Sequence, residues 1–287
     1  MSDDGQHGLT LIAFVGSVFS PYYRWARQRG RADPDNHCAL NVALYGNRHK
    51  RWAMTERGRR HCHRDRTQFV IGPSRIDWDG QCLHLRIDEV CVPWPHRIRG
   101  HIRLWPQQLF NYSVALDAAG RHRWGPLAPH ARVEVDLQAP DSQWSGHAYL
   151  DSNEGDEPIE AGFERWDWSR TAMPDGSTEV TYDLQWASQR ERLLRLRFGT
   201  DGGVETLPAT PIRTLPSTAW RIPRRMRCAS EVTVQQQLED TPFYQRCLLQ
   251  HQVDAQPVWA FHETLSVPRL VSPVVQAMLP WRMPRRS

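Results

Sequence analysis

The chain has 287 residues, 40% hydrophobic and 24% charged, which suits a packed core in one large domain or two ordinary ones and excludes wholesale disorder. Its net charge is +4, and all but one of its 36 basic residues are arginine, the exception being Lys50. These cations are interleaved with acids, which argues against a nucleic-acid partner and leaves room for weak attraction to an anionic membrane surface.

The elements read in chain order are mostly strands. The apolar stretch 9–19 is broken by Thr10, Gly16 and Ser17 and is too short to span a bilayer. Residues 21–29 predict a short helix with Pro21 at its first position. Residues 75–77 and 82–87 alternate around Asp79-Gly80, a hairpin signal. Alternation returns at 97–105, 131–137, 179–186 and 193–198, with turns at Asp175-Gly176 and Asp201-Gly202-Gly203. Residues 243–253 and 258–265 read as a closing hairpin, and 282–287 as a frayed basic tail. Many short strands with regular turns indicate an all-β barrel or sandwich with few short helices. The Gly/Asp/Pro-rich segment 152–158 is the expected junction, dividing the chain into 1–155 and 156–287. Six scattered cysteines form no Cys-x-x-Cys pair. The N-terminus shows no basic region followed by a cleavable apolar stretch, so a cytoplasmic protein with free thiols is expected.

Two segments carry chemistry. In a strand, residues two apart share a face, so His122 and Trp124 point one way, and Tyr149 and Asp151 share a face with His147 beside them. If these faces line one cavity, it holds a carboxyl, a phenol, an imidazole and an indole. The alternative is that Asp151 merely caps the Ser-Asn-Glu-Gly turn that follows it, and spacing leaves both readings open. Trp166 and Trp168 make one strand face aromatic, as core packing or as a ligand wall. His61, His63 and Asp65 resemble a metal cluster, but no second ligand pair follows and Arg57, Arg59, Arg60, Arg64 and Arg66 would repel a cation, so no metal is expected there. No Gly-x-Ser-x-Gly elbow is present to suggest a serine hydrolase, and no GxGxxG or phosphate-binding loop to suggest a nucleotide cofactor.

Longer strings carry a resemblance: GLTLIAFVGSVFSPYY at 8–23, NHCALNVALYG at 36–46, RWAMTERG at 51–58, YLDSNEG at 149–155 and FERWDWSR at 163–170. Together they resemble the acyclic carotenoid 1,2-hydratases, also called hydroxyneurosporene synthases. The resemblance implies two lipocalin-like domains, with the site in the first. It also implies cofactor-free addition of water to the 1,2 double bond of carotenes such as neurosporene and lycopene. His-x-Trp and Tyr-x-Asp pairs form the site in that family, and they occur here as His122/Trp124 and Tyr149/Asp151.

That chemistry needs an acid strong enough to protonate an alkene. A free aspartate titrates near ~3.9, so holding Asp151 protonated near neutrality takes roughly three units, or about 4 kcal/mol of environmental bias. An apolar cavity could supply it, as could the carboxylates of Glu154, Asp156, Glu157 and Glu160 if they approach. The faces of Trp124 and Tyr149 would stabilise the tertiary cation. Either His122 or the Asp151 carboxylate would then take the proton from water. The segment 14–23 is expected to contribute to a lid and tunnel for the polyene. A substrate that apolar resides in a bilayer, which implies a peripheral protein on the cytoplasmic side of the inner membrane. A lipocalin-like carrier that binds an isoprenoid unchanged is the competing function, and Asp151 discriminates, because a carrier needs no acid beside aromatics.

Overall fold

Alternating apolar and polar residues, interrupted by Gly and Asp turns, build antiparallel sheets wherever the sequence predicts them. The computed structural model describes residues 1–46 and 50–286. The strands Ser74–Trp78 and Leu83–Val90 pair with Trp78 opposite Leu83. Between them Gly80 takes φ of 100°, and the Asp79 carboxylate accepts the Gln81 and Cys82 N–H groups at 2.8 and 2.7 Å. Tyr244–Val253 and Gln256–Ser266 form the closing hairpin. The short helix is Pro21–Gln28, where the Ser20 hydroxyl accepts the Tyr23 N–H at 2.9 Å and Pro21 fills a position whose N–H would have no partner.

The chain forms two compact units, residues 1–107, 131–149 and 276–287 in one, and 108–130 and 150–275 in the other. This differs from a single division near residue 155. Two long strands, His122–Ala139 and Asp141–Gly155, each run through both units, so the chain passes over within strands. The segment read as a junction continues the second of these strands to Gly155.

The first unit is a sandwich of open sheets rather than a closed barrel. One sheet is ordered His7–Val15, Cys38–Gly46, Arg51–Arg57, Arg285–Arg286. Its central strand is buried on both faces, which explains its near-continuous apolar run. Leu40, Val42 and Leu44 from this strand share one core with Ile71, Leu85, Ile87, Ile102 and Val133 from the other sheet. The C-terminus is not a frayed tail. Arg285 and Arg286 pair in parallel with the strand carrying Glu56 and Arg57, and the Arg285 guanidinium binds the buried Glu56 carboxylate; Ser287 lies outside the described residues.

The second unit is built on a seven-stranded antiparallel sheet running from Val204–Thr206 through Glu191–Phe198, Thr178–Trp186, Phe163–Ala172, Gln256–Ser266 and Tyr244–Val253 to Thr233–Asp240. Its alternation separates two chemistries. Register places Trp168 opposite Tyr182 and Trp166 opposite Leu184, and Phe198 follows on the same face. The opposite face carries Asp167 beside Asp183 and Thr264. There Arg165, Arg225 and Arg227 pair with the acids, while Met226, Cys247, Leu249 and Ala260 form an apolar core.

Candidate active site

Strand pleat decides which side chains of His122–Ala139 turn inward. His122 and Trp124 are buried, whereas Arg123 between them reaches outward to Asp156 at 2.9 Å and Glu154 at 3.7 Å. Trp124 is fully buried on the aromatic face of the seven-stranded sheet, 5.0 Å from the Tyr182 ring and 6.0 Å from the Phe198 ring. Its indole N–H donates to Asp151 Oδ2 at 2.9 Å. Asp151 is half-buried in the strand Asp141–Gly155. One oxygen of its carboxyl is thus directed at an indole.

The structure therefore joins Trp124 and Asp151 in the second unit, with His122 two residues before Trp124 on the same buried strand face. Tyr149 lies two residues before Asp151 on the same strand, half-buried, and is the last residue there of the first unit. His147 does not join them: it is exposed, and its ring approaches Asp3 at 3.7 Å. The acids after Asp151 are engaged elsewhere, Glu154 and Asp156 with Arg123 and Glu157 with Arg121. Two arginines offset most of these three charges, which therefore supply little of the bias that would keep Asp151 protonated.

Sequence reasoning missed three participants. The first is Asp117, which begins the turn closed by Gly120. Its carboxylate accepts the His122 backbone N–H at 2.7 Å, the Ala119 N–H at 2.8 Å and the Arg121 N–H at 3.2 Å, and lies 3.0 Å from His122 Nδ1. Burial works to raise this carboxyl, but the backbone donors and the imidazole outweigh it and hold Asp117 below the ordinary carboxylate range. An ionised Asp117 only accepts, so Nδ1 of His122 carries the proton and the lone pair of a neutral ring sits on Nε2. That Nε2 is buried and meets no hydrogen-bond partner among the described residues. The ring is wedged between Gly155 and Gly162 and packs edge-on against Phe163 at 4.8 Å; a Cβ on Gly162 would stand 2.8 Å from its Cε1. A turn Asp five residues before a strand histidine was the available signal.

The other two are Tyr182 and Phe198, which lay in predicted strands without being singled out. Burial foremost pushes the Tyr182 phenol well above its ordinary value, and the nearby Asp151 adds to this whenever it is ionised. It remains a neutral phenol, with its hydroxyl 3.4 Å from Asn153 Oδ1. Trp166 packs edge-on against Tyr182 at 5.3 Å and Trp168 against Phe261 at 6.4 Å, so the tryptophan pair continues the aromatic wall.

Elsewhere, His61 and His63 line an open cleft of about 480 Å³ with Arg57, Arg60 and Arg286, and His63 pairs with Asp65 at 3.5 Å. No helix among the described residues is long and apolar enough to cross a membrane.

Comparison with known proteins places this geometry in context. Residues 11–287 match the family model described as carotenoid hydratase CrtC. The chain is 55% identical over 291 residues to the acyclic carotenoid 1,2-hydratase of Rubrivivax gelatinosus, covering 100% of this chain and 72% of that protein. It is 51% identical to that of Thiocapsa roseopersicina, covering 99% and 71%, and 37% identical to that of Rhodobacter capsulatus, covering 96% and 98%. Among solved structures, a "putative AttH" from Nitrosomonas europaea shares the fold, with a TM-score of 0.63 and 16% identity over 92% of this chain and 88% of that one.

Proposed function

Because this chain belongs to the carotenoid hydratase family, we propose that it adds water to the terminal C1=C2 double bond of acyclic carotenes such as neurosporene and lycopene, with no cofactor. The observation that carries the reading is the Trp124–Asp151 hydrogen bond within an aromatic cluster of Tyr182, Phe198 and Trp166. A carrier of an apolar ligand gains nothing from a carboxyl set there.

In this reading Asp151 transfers its proton to C2, and a tertiary cation forms at C1. The indole N–H of Trp124 then faces a carboxylate, a stronger bond than the one it makes to the acid, so it stabilises the product side of the proton transfer. The aromatic faces of Trp124 and Tyr182 offer electron density to the cation, about 0.5–2 kcal/mol each. Tyr182 does so without trapping it, because its phenol is neutral. Water attacks C1 and loses a proton. His122 is the base this reading favours, since Asp117 fixes its tautomer and leaves the Nε2 lone pair available. Asp151 is regenerated when that proton returns to its carboxylate.

The direct test is incubation of purified protein with lycopene in heavy water, without added nucleotide and with a chelator present. The expected product is a 1-hydroxy carotenoid carrying one deuterium at C2. Product lacking label at C2 would remove alkene protonation from the mechanism. Asp151→Asn should form no product while remaining folded, and normal turnover by that variant would take the proton-donor role away from Asp151.

A further inference from the structure

The most exposed large apolar side chains of the protein are Trp281 at 80%, Trp94 at 73% and Val274 at 70%. Val274, Met278 and Trp281 lie on the helix Pro273–Arg282 at spacings of four and three, so they form one solvent-facing stripe, while Val275, Leu279 and the following Met283 are buried. Trp94 sits at the tip of the hairpin joining Leu83–Val90 to Arg97–Pro106, whose base is closed by the Cys91 N–H donating to the His96 carbonyl at 2.8 Å.

Contacts within the first unit connect the end of the helix to this hairpin. Arg282, next to Trp281, stacks over the Trp52 ring at 5.0 Å. The Cys91 thiol at the hairpin base lies close enough to the Trp52 backbone, Arg51 and Arg282 for all three to favour its ionised form, while burial opposes this and raises it. Arg51 donates to the Arg97 carbonyl on the other side of the hairpin, and Arg97 pairs with Asp88 at 3.0 Å. Two exposed indoles therefore flank a cluster of arginines.

Charge identifies the occupant. Of the arginines near these indoles, Arg97 pairs with Asp88 and Arg285 with the buried Glu56, whereas Arg51 and Arg282 have no carboxylate within ion-pair distance among the described residues. Exposed tryptophans beside arginines are the composition that settles at the headgroup level of a bilayer, with apolar side chains inserted and cations on phosphates. We propose that the Trp94 hairpin tip and the C-terminal half of the helix Pro273–Arg282 form the docking face of this protein for an anionic phospholipid bilayer. The choice of partner rests on the hydratase reading, because a carotene is held in the bilayer and must be collected from it.

The test is flotation of the full chain with phosphatidylcholine vesicles, with and without phosphatidylglycerol. Wild type should float with the anionic vesicles. The double variant Trp94→Ser/Trp281→Ser should bind them at least about tenfold more weakly. Arg282→Gln should lose about fivefold on anionic vesicles and little on neutral ones. Lycopene in detergent micelles should be hydrated by the double variant at the wild-type rate, and lycopene in vesicles more slowly. Wild type that fails to float, or a double variant that floats as wild type does, overturns the proposal. So does a double variant that converts a dimer to a monomer in sedimentation while flotation is unchanged, since the face would then bind a second copy. Failure of wild type to hydrate lycopene in micelles would count against the hydratase reading alone, because flotation reads docking independently.

Discussion

Replacing Trp124 by phenylalanine isolates the bond on which the proposed chemistry depends. The ring stays aromatic and keeps most of its packing on Tyr182 at 5.0 Å and Phe198 at 6.0 Å, while the N–H that donates to Asp151 at 2.9 Å disappears. Toward a neutral acid that bond contributes about 0.5–1.5 kcal/mol, and toward a carboxylate about 1.5–3 kcal/mol. Only the difference, about 1–1.5 kcal/mol, lowers the barrier, because it appears as the proton leaves Asp151. At ~1.4 kcal/mol per decade, Trp124→Phe should lower kcat about tenfold and leave KM within about twofold. Steady-state kinetics on micellar lycopene, with product resolved by mass, makes the measurement. The smaller ring also leaves space in a fully buried site, so a loss of roughly 1–3 kcal/mol in stability is expected, and melts run alongside show whether the variant is folded at the assay temperature. An unchanged kcat, or a loss carried wholly by KM, would refute the reasoning: the indole would then be positioning substrate rather than stabilising the carboxylate.

Three further outcomes are expected. Asp117→Asn removes the charge that fixes the His122 tautomer, so kcat should fall about tenfold. In a double-mutant cycle with His122→Gln the losses should be strongly non-additive; additive losses would separate Asp117 from the imidazole. Gly162→Ala places a methyl 2.8 Å from His122 Cε1 and should lower kcat by displacing the ring, whereas an unchanged kcat would show that ring position is not critical. The fully buried Asp167 is pushed up to about 7 by burial, against the opposing bonds from Thr264 and Arg165. The folded state thus binds this proton more tightly than the unfolded one, and the stability it confers is full below about 3.8 and lost as pH rises through about 7. Between pH ~5 and ~8 the loss is on the order of 2–3 kcal/mol, and Asp167→Asn should abolish it. Urea titrations at both pH values check this, and parallel curves for wild type and variant would contradict it.

Local rules account for much of the fold. Alternation at 75–87, 97–105, 179–186, 193–198 and 243–265 places strands where they stand, and Asp-Gly pairs place their turns, because pleat and turn are properties of a few adjacent residues. The same rule put His122 and Trp124 on one face and separated them from Arg123.

What lies across the sheet followed no local rule. Tyr182 and Phe198 lie on neighbouring strands of one sheet and meet Trp124 from a strand of another, and Asp167 is segregated from them by register. The acids closest in sequence to Asp151 turned to Arg121 and Arg123, because the pleat sends those arginines outward to meet them. The division near residue 155 did not coincide with the compact units, since two strands are long enough to serve both. The C-terminal arginines read as a loose basic tail because a parallel pairing with a strand more than two hundred residues away leaves no local trace. Whether Asp151 caps a turn or faces an aromatic site was open from spacing alone. The indole N–H of Trp124, 27 residues away in sequence, meets one oxygen of that carboxyl, a donor that only tertiary packing brings within reach.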